Sequence, residues 1–214
     1  LLPLRAAPKD FATPFAFRRF LQGSLPEHLL NFPAADPLAR VELPVFKALP
    51  RSITRRWPKA TLSETEVPGA TAATAPSEAE QSGFRLQAGH LAAKKQMRSF
   101  LRDKLASYPT ARNHPDENGT SGLSPYLHFG HIATHEIFAE LARLEGWTPE
   151  RIAPRSTGGR TGWWGMSIAA QEFLDELVTW RELGYNFCHF RKDYDKFESL
   201  PDWAQRTLGK HEED

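Results

Sequence analysis

Apolar residues recur at the three- and four-residue spacing of a helix along much of this 214-residue chain. The pattern predicts helices over residues 11–22, 91–105, 127–144 and 167–190, and a further short helix begins at Leu25. Ser167 is placed to cap the last and longest of them. Residues 1–6 are a short apolar run that fits a buried strand or the remnant of one. The weight of helix over strand predicts a mainly α-helical main domain.

Proline, alanine and threonine dominate the stretch that follows the first helices. Seven prolines between residues 33 and 76 exclude a long helix there, and residues 61–82 carry almost no large apolar side chain. This composition is typical of a flexible linker, predicted over residues 32–83. The linker separates residues 1–31 from residues 84–214, which hold most of the predicted helices.

Composition and charge narrow the functional classes only slightly. A hydrophobic content of 40% and a charged content of 25% are ordinary for a soluble globular protein, and no apolar window is long enough for a membrane span. The net charge of +1 means that any nucleic-acid contact must come from local basic clusters. Cys188, the single cysteine, cannot form an internal disulfide, which suits a reducing cytoplasm. Its mostly apolar neighbours predict a buried, inert thiol.

The segment 118–130, with the sequence N-G-T-S-G-L-S-P-Y-L-H-F-G, is the strongest candidate for chemistry. Two glycines and three hydroxyl groups fall within its first seven residues. Glycines let backbone N–H groups approach an anion closely, and hydroxyl groups can donate hydrogen bonds to phosphate oxygens. Ordinary helix capping uses the same residue types. On this segment alone, phosphate binding and capping stay equally open.

Four segments in order along the chain resemble the photolyase/cryptochrome family. They are Y-P-T-A-R-N at 108–113, the segment 118–130, E-F-L-D-E-L-V-T-W-R-E-L with N-F-C at 172–188, and L-P-D-W-A-Q-R-T-L at 200–208. The last two are most similar to the class II cyclobutane pyrimidine dimer photolyases. The resemblance implies a mainly α fold, with the end of an α/β antenna domain (1–31), an interdomain linker (32–83) and the first half of the helical FAD-binding domain (84–214). It also implies a partial chain that retains FAD weakly or not at all by itself.

The activity implied by the resemblance is light-driven repair of cyclobutane pyrimidine dimers in DNA. Reduced FAD would supply the electron under blue or near-UV light, in a carbon–carbon lyase reaction carried out by a monomer. Implied contacts to FAD are made by Tyr108, Arg181 and the loop residues Thr120, Ser121, Gly122, Leu123 and Ser124. Arg112 would face the lesion in the DNA.

Glu176 and Trp180 are the predicted catalytic and lesion-binding pair. They lie four residues apart, so both fall on one face of the predicted helix. The indole offers a stacking surface for an extruded pyrimidine dimer, and the carboxyl group can hydrogen-bond to thymine edges. A solvated glutamate beside a core tryptophan is the ordinary alternative.

Other functions stay open from the sequence. One is a cryptochrome-like flavoprotein that repairs nothing, and another is a helical DNA-binding module without a cofactor. Basic side chains predicted to contact duplex phosphates are Lys94, Lys95, Arg98, Arg155, Arg160 and Arg191. No metal site is predicted, because the histidines at 128, 131 and 135 lack a supporting carboxylate motif or cysteine pair. The Gly/Pro/Arg-rich loop 146–166 has no assigned role beyond anchoring by Trp163 and Trp164.

Overall fold

The structure is a computed structural model, and it describes residues 1–34, 36–44, 47–59 and 87–211. The chain divides into two compact units, one made of Leu1–Phe32 with Ala88–Asp214 and the other of Pro33–Gln87. Across the described ranges the secondary structure is helical, with no β-strand, which confirms the predicted mainly α fold.

The helices follow one another in short pieces. In chain order they are α1 (Pro14–Ser24), α2 (Arg51–Arg56), α3 (His90–Ser99), α4 (Tyr108–Ala111), α5 (Ser124–His128), α6 (Thr134–Leu144), α7 (Ile168–Leu174), α8 (Arg181–Phe190) and α9 (Asp202–Lys210). A π-helical segment, Phe100–Lys104, extends α3, and a second one, Asp175–Trp180, joins α7 to α8. Short 3₁₀ turns occupy Leu4–Ala6, Leu25–Glu27, Leu105–Ser107, Pro115–Glu117, Pro149–Arg151 and Phe197–Ser199.

The predicted helix over residues 167–190 is confirmed from end to end. Ser167 caps it, with its Oγ accepting a hydrogen bond from the Ala170 N–H at 3.2 Å. The helix is continuous through the π-helical segment, where the backbone hydrogen bonds shift to the i→i+5 pattern. This long helix carries many of the apolar side chains of the core.

Two sequence predictions are wrong in their details. The run 1–6 is not a strand, because the Ala6 N–H donates to the Pro3 carbonyl at 2.8 Å and closes a 3₁₀ turn. The predicted helix 127–144 is interrupted, since Gly130 adopts a left-handed φ of 68° between α5 and α6. A glycine with this backbone conformation is a common way to end a helix.

One apolar core unites the first unit. Phe17 and Leu21 from α1 are buried in the same cluster as Phe100, Phe138 and Leu174. Residues 1–31 therefore contribute to the core of the helical unit, while their assignment to an antenna domain stays a prediction.

The loop 146–166 is anchored in this core by three buried indoles. Trp147, Trp163 and Trp164 are all buried, and the Trp147 Nε1–H donates to the Trp164 carbonyl at 2.6 Å. The ring of Phe138 lies 5.5 Å from that of Trp147 and 5.6 Å from that of Trp164. The loop is thus held by aromatic packing, as predicted for Trp163 and Trp164.

The described part of the second unit contains α2. Arg56 lies over the ring of Trp57, 4.8 Å from its centroid, in a cation–π contact. The predicted linker over 32–83 runs through this unit, and its Ala/Thr-rich part at 61–82 lies outside the described residues.

One side chain predicted to be buried is exposed. Cys188 is exposed on α8, because the face of that helix that packs inward carries Glu182 and Asn186 instead. Trp203 and Leu208 of α9 are also exposed. No helix among the described residues combines the length and apolar character needed to cross a membrane.

Gly119 shows how closely the chain after α4 returns onto that helix. A Cβ at this position would lie 2.4 Å from the carbonyl carbon and oxygen of Ala111, a distance that side chains do not tolerate. Lys104 holds the neighbouring turn, with its Nζ donating to the Asn118 carbonyl at 2.9 Å. The absence of a side chain at 119 therefore fixes where the following loop begins.

We expect Gly119→Ala to destabilise the protein by roughly 2 kcal/mol or more, since the backbone of α4 must move to admit the methyl group. Gly184→Ala in α8 is the matched control, because a methyl group added there would meet nothing within 4 Å. That control should raise stability by roughly 0.5–1 kcal/mol, as alanine favours a helix interior. Urea unfolding followed by circular dichroism measures both. Equal midpoints for the two variants would contradict the close approach at Gly119.

Candidate functional site

A cavity of about 560 Å³ opens between α4, the loop after it, α5 and the long helix α7–α8. This volume lies within the range of ordinary ligand pockets. Its lining residues are Tyr108, Arg112, Asn113, Thr120, Ser121, Leu123, Ser124, Leu127, His128, Phe173, Glu176, Leu177, Arg181 and Tyr185. The cavity thus combines hydroxyl groups and charges with an aromatic and aliphatic wall.

The loop 120–124, which carries the hydroxyl groups, is held in place by Gln96 of α3. The Gln96 Nε2–H donates to the Ser121 carbonyl at 2.7 Å. Gly122 adopts a left-handed φ of 65°, and a Cβ there would lie 2.7 Å from the same Gln96 nitrogen. Leu123 packs into the core next to this turn. The loop backbone is therefore fixed, with the side chains of Thr120, Ser121 and Ser124 at the cavity.

Tyr108 forms an aromatic wall of the cavity. Its ring meets those of Phe100 and Phe173 edge-on, each at 5.5 Å between centroids. Burial raises the pKa of the Tyr108 phenol above its usual value, and the nearby Arg112 guanidinium partly offsets this. The phenol is therefore a neutral hydrogen-bond donor across the physiological pH range.

Arg112 links α4 to the long helix. Its Nη1 hydrogen-bonds to the Glu176 Oε1, and its Nη2 lies 3.6 Å from the Glu172 Oε2. The hydrogen bond to Glu176 raises the pKa of Arg112, so this group is a permanent cation. Its Nε is buried and has no hydrogen-bond partner. Two carboxylates and the ring of Tyr108, 5.5 Å away, thus hold one cation at the cavity.

The structure brings together most of the residues that the sequence singled out. Tyr108, Arg112, Thr120, Ser121, Leu123, Ser124, Glu176 and Arg181 all line the one cavity. Gly122 is not among the lining residues and instead shapes the turn between them. These residues come from two neighbouring segments, 108–112 and 120–124, and from the long helix more than fifty residues further along the chain.

Trp180 does not line this cavity, whereas Glu176 does. Trp180 lines a separate apolar depression of about 420 Å³ together with Phe11, Leu183 and Phe187. Glu176 and Trp180 both belong to the π-helical segment Asp175–Trp180. The stacking role of Trp180 stays a prediction.

Two residues that sequence reasoning missed also belong to the site. Tyr185 lines the cavity, and its hydroxyl accepts a hydrogen bond from the Arg181 Nη2 at 3.1 Å. Glu172 lies beside Arg112, one helical turn before Glu176. Tyr185 lies four residues after Arg181, and Glu172 lies four residues before Glu176. This helical spacing from predicted site residues could have identified both.

The basic residues predicted to contact DNA phosphates are partly neutralised by carboxylates. Lys94 pairs with Glu136 at 2.9 Å, and Arg191 pairs with Asp193 at 2.6 Å. The Arg191 guanidinium lowers the pKa of Asp193 to about 2. Pairing of this kind reduces the net charge that these positions offer to a phosphate backbone.

We expect Arg112→Gln to raise the pKa of Tyr108 further, because the substitution removes the hydrogen bond and positive charge that lower it. Alkaline titration of tyrosinate absorbance measures this, with Tyr108→Phe identifying which of the four tyrosines is involved. In the unsubstituted protein this tyrosine should titrate above the usual value of about 10. A Tyr108 pKa that is unchanged by Arg112→Gln would contradict the contact.

Sequence comparison finds a consistent set of relatives. The chain is 38% identical to a deoxyribodipyrimidine photo-lyase of Oryza sativa subsp. japonica over 116 residues, which are 54% of this chain and 19% of that protein. It is 36% identical to one of Methanothermobacter thermautotrophicus over 137 residues, 64% of this chain and 25% of that protein. With one of Arabidopsis thaliana it shares 27% identity over 198 residues, 89% of this chain and 33% of that protein.

The chain spans between about a fifth and a third of the length of these relatives. No protein-family model matches it. The relatives do not separate class II from the other classes. The sequence comparisons support a relationship to the photolyase family, with no class within the family distinguished.

Proposed function

We propose that this chain is the part of a photolyase that holds the diphosphate of FAD and faces the DNA lesion during light-driven repair of cyclobutane pyrimidine dimers. The observation that carries the proposal is the convergence of Tyr108, the 120–124 loop and Glu176 on one cavity. Relatives that are named deoxyribodipyrimidine photo-lyase support the reaction. Because the chain spans only part of their length, the activity is that of the whole protein.

The residues of the cavity fit FAD by their chemistry. Hydroxyl groups of Thr120, Ser121 and Ser124 suit hydrogen bonds to diphosphate oxygens, and Arg181 supplies a positive charge. Tyr108 and Phe173 offer ring surface for the planar parts of the cofactor. When bound and reduced, FAD supplies the electron that splits the dimer after absorption of light.

The Arg112–Glu176 pair suits recognition of a thymine edge. In this pair a guanidinium donor lies beside a carboxylate acceptor, and the two charges balance each other. A thymine base presents carbonyl acceptors on either side of one N–H donor, so it complements such a pair. We assign Arg112 and Glu176 to the lesion, Arg181 to the cofactor, and no role to Trp180 within this cavity.

A flavoprotein without repair activity is the second candidate. The observation that favours it is the position of Trp180 outside the cavity, which leaves the lesion without the indole that the resemblance implies. A DNA-binding module without a cofactor is less well supported, because duplex contact does not require a hydroxyl-lined cavity of this kind. The single cysteine fits a reducing compartment, and we place the protein in the cytoplasm.

We expect Ser124→Ala to weaken FAD binding by about tenfold, the effect of losing one hydrogen bond to a charged oxygen. Ser52→Ala in α2 is the control, because that exposed hydroxyl lies outside the cavity. Titration with added FAD, followed by flavin fluorescence, detects weak as well as tight binding. Loss of thymine dimers under blue light is then measured on the whole protein with the same substitutions, because the activity is that of the whole protein.

The combined result separates the candidates. Flavin binding that is weakened by Ser124→Ala, together with light-dependent loss of dimers, supports the proposed function. Flavin binding without loss of dimers supports the second candidate instead. Binding that Ser52→Ala and Ser124→Ala weaken equally would place the cofactor outside this cavity and contradict both.

A further inference from the structure

The loop 146–166, to which the sequence assigned no role, places Arg160 at the edge of the site. Hydrogen bonds fix the loop backbone before and after this arginine. On one side Gln22 of α1 accepts from the Gly158 N–H at 2.8 Å and donates to the Gly159 carbonyl at 2.9 Å. On the other side Gln171 of α7 accepts from the Gly162 N–H at 2.6 Å. Both glutamines are buried, so Arg160 is held between two fixed points.

Arg160 contacts carboxylates on successive turns of the long helix. Its Nη2 lies 2.6 Å from the Glu172 Oε2, and its Nε lies 3.3 Å from the Asp175 Oδ2. Asp175 is buried and also pairs with Arg18 of α1, at 2.7 Å and 3.0 Å. The loop, α1 and the long helix are therefore joined by one ladder of alternating charges.

Glu172 is shared between Arg160 and Arg112. The same oxygen, Oε2, is 2.6 Å from Arg160 and 3.6 Å from Arg112. Arg112 instead directs its Nη1 to Glu176, which lies one turn further along. Because Arg160 neutralises Glu172, the electrostatic attraction of Arg112 towards Glu172 is reduced and its attraction towards Glu176 prevails.

We propose that Arg160 is a positioning residue, which keeps Arg112 on Glu176 by occupying the competing carboxylate Glu172. The consequence for ligand recognition rests on the proposed function, in which the Arg112–Glu176 pair meets the lesion. Arg160 itself does not line the cavity. The side chain of Arg160 is 47% exposed, whereas those of Glu172 and Asp175 are 17% and 2% exposed, so a structural role is the alternative that the experiment must separate from positioning.

Single and double variants test whether Glu172 and Glu176 compete for Arg112. Arg160→Gln frees Glu172 to attract Arg112 and should disturb the Arg112–Glu176 pair. Arg160→Gln combined with Glu172→Gln removes the competitor as well, so the pair should return. A structural role would make the double variant no better than the single one, whereas the proposed role predicts suppression.

The position of Arg112 is read directly from its Nε–H resonance in ¹⁵N-correlated NMR spectra, assigned by its disappearance in Arg112→Lys. We expect Arg160→Gln to shift this resonance and the double variant to move it back towards its original position. Arg143→Gln is the matched control, since that arginine pairs with Glu140 and has no contact with this ladder. A resonance that Arg160→Gln leaves unmoved, or that the double variant fails to restore, overturns the proposal.

The consequence for recognition is measured as the ratio of dissociation constants for an undamaged and a dimer-containing oligonucleotide. General charge effects act on both oligonucleotides alike and cancel in this ratio. Arg160→Gln should lower the ratio about fivefold, and the double variant should restore it to within about twofold. Arg160→Lys, which keeps a cation near Glu172, should retain most of it.

Failure of the proposed function and failure of this inference give different results. An unsubstituted protein with no preference for the dimer overturns the proposed function, while the NMR comparison still decides the positioning. A preference that Arg160→Gln leaves unchanged overturns the inference alone. If Arg160→Gln does not fold, the single variant Glu172→Gln tests the inference. Removal of the competing carboxylate should leave the preference for the dimer-containing oligonucleotide intact, and a loss of that preference contradicts the inference.

Discussion

The ion pairs of Arg112 are the interaction on which the site depends. Arg112 follows the four-residue helix α4, and its guanidinium ties that helix to Glu172 and Glu176 on the long buried helix. Partial burial of the guanidinium makes this link stronger than an exposed surface pair, because water and salt screen it less. Tyr108, one turn earlier, is thereby held against Phe173, and the cavity gains its aromatic wall.

A second constraint is the lack of side chains at the turns that build the cavity. Gly119 lies against the carbonyl of Ala111, and Gly122 lies against the amide of Gln96. Because a Cβ at either position would lie too close to these neighbours, the backbone path of the loop that carries the hydroxyl groups is fixed. The buried indoles of the loop 146–166 likewise hold that loop in place, and Arg160 of the loop contacts the same long helix. Together these contacts bring hydroxyl groups and charges from distant segments to one cavity.

Hydrophobic periodicity predicted the long helix and its Ser167 cap, and the family resemblance implied most of the cavity residues. The periodicity did not predict the break at Gly130, since one glycine within an apolar pattern gives little indication of its φ. The position of Trp180 was missed because a spacing of four residues does not show which cavity each side chain lines. Cys188 was misplaced because its neighbours do not reveal which face of α8 packs inward. The Arg112–Glu176 pair joins residues 64 positions apart, a contact that only tertiary packing determines.

We propose that the cavity beside Arg112 binds the diphosphate of FAD. A crystal structure of the protein grown with FAD would test this binding mode. We expect diphosphate oxygens within hydrogen-bond distance of the hydroxyl groups of Thr120, Ser121 and Ser124, with Arg112 still paired to Glu176. A cofactor seated in the depression lined by Trp180, or a 120–124 loop that lies away from Tyr108, would contradict it.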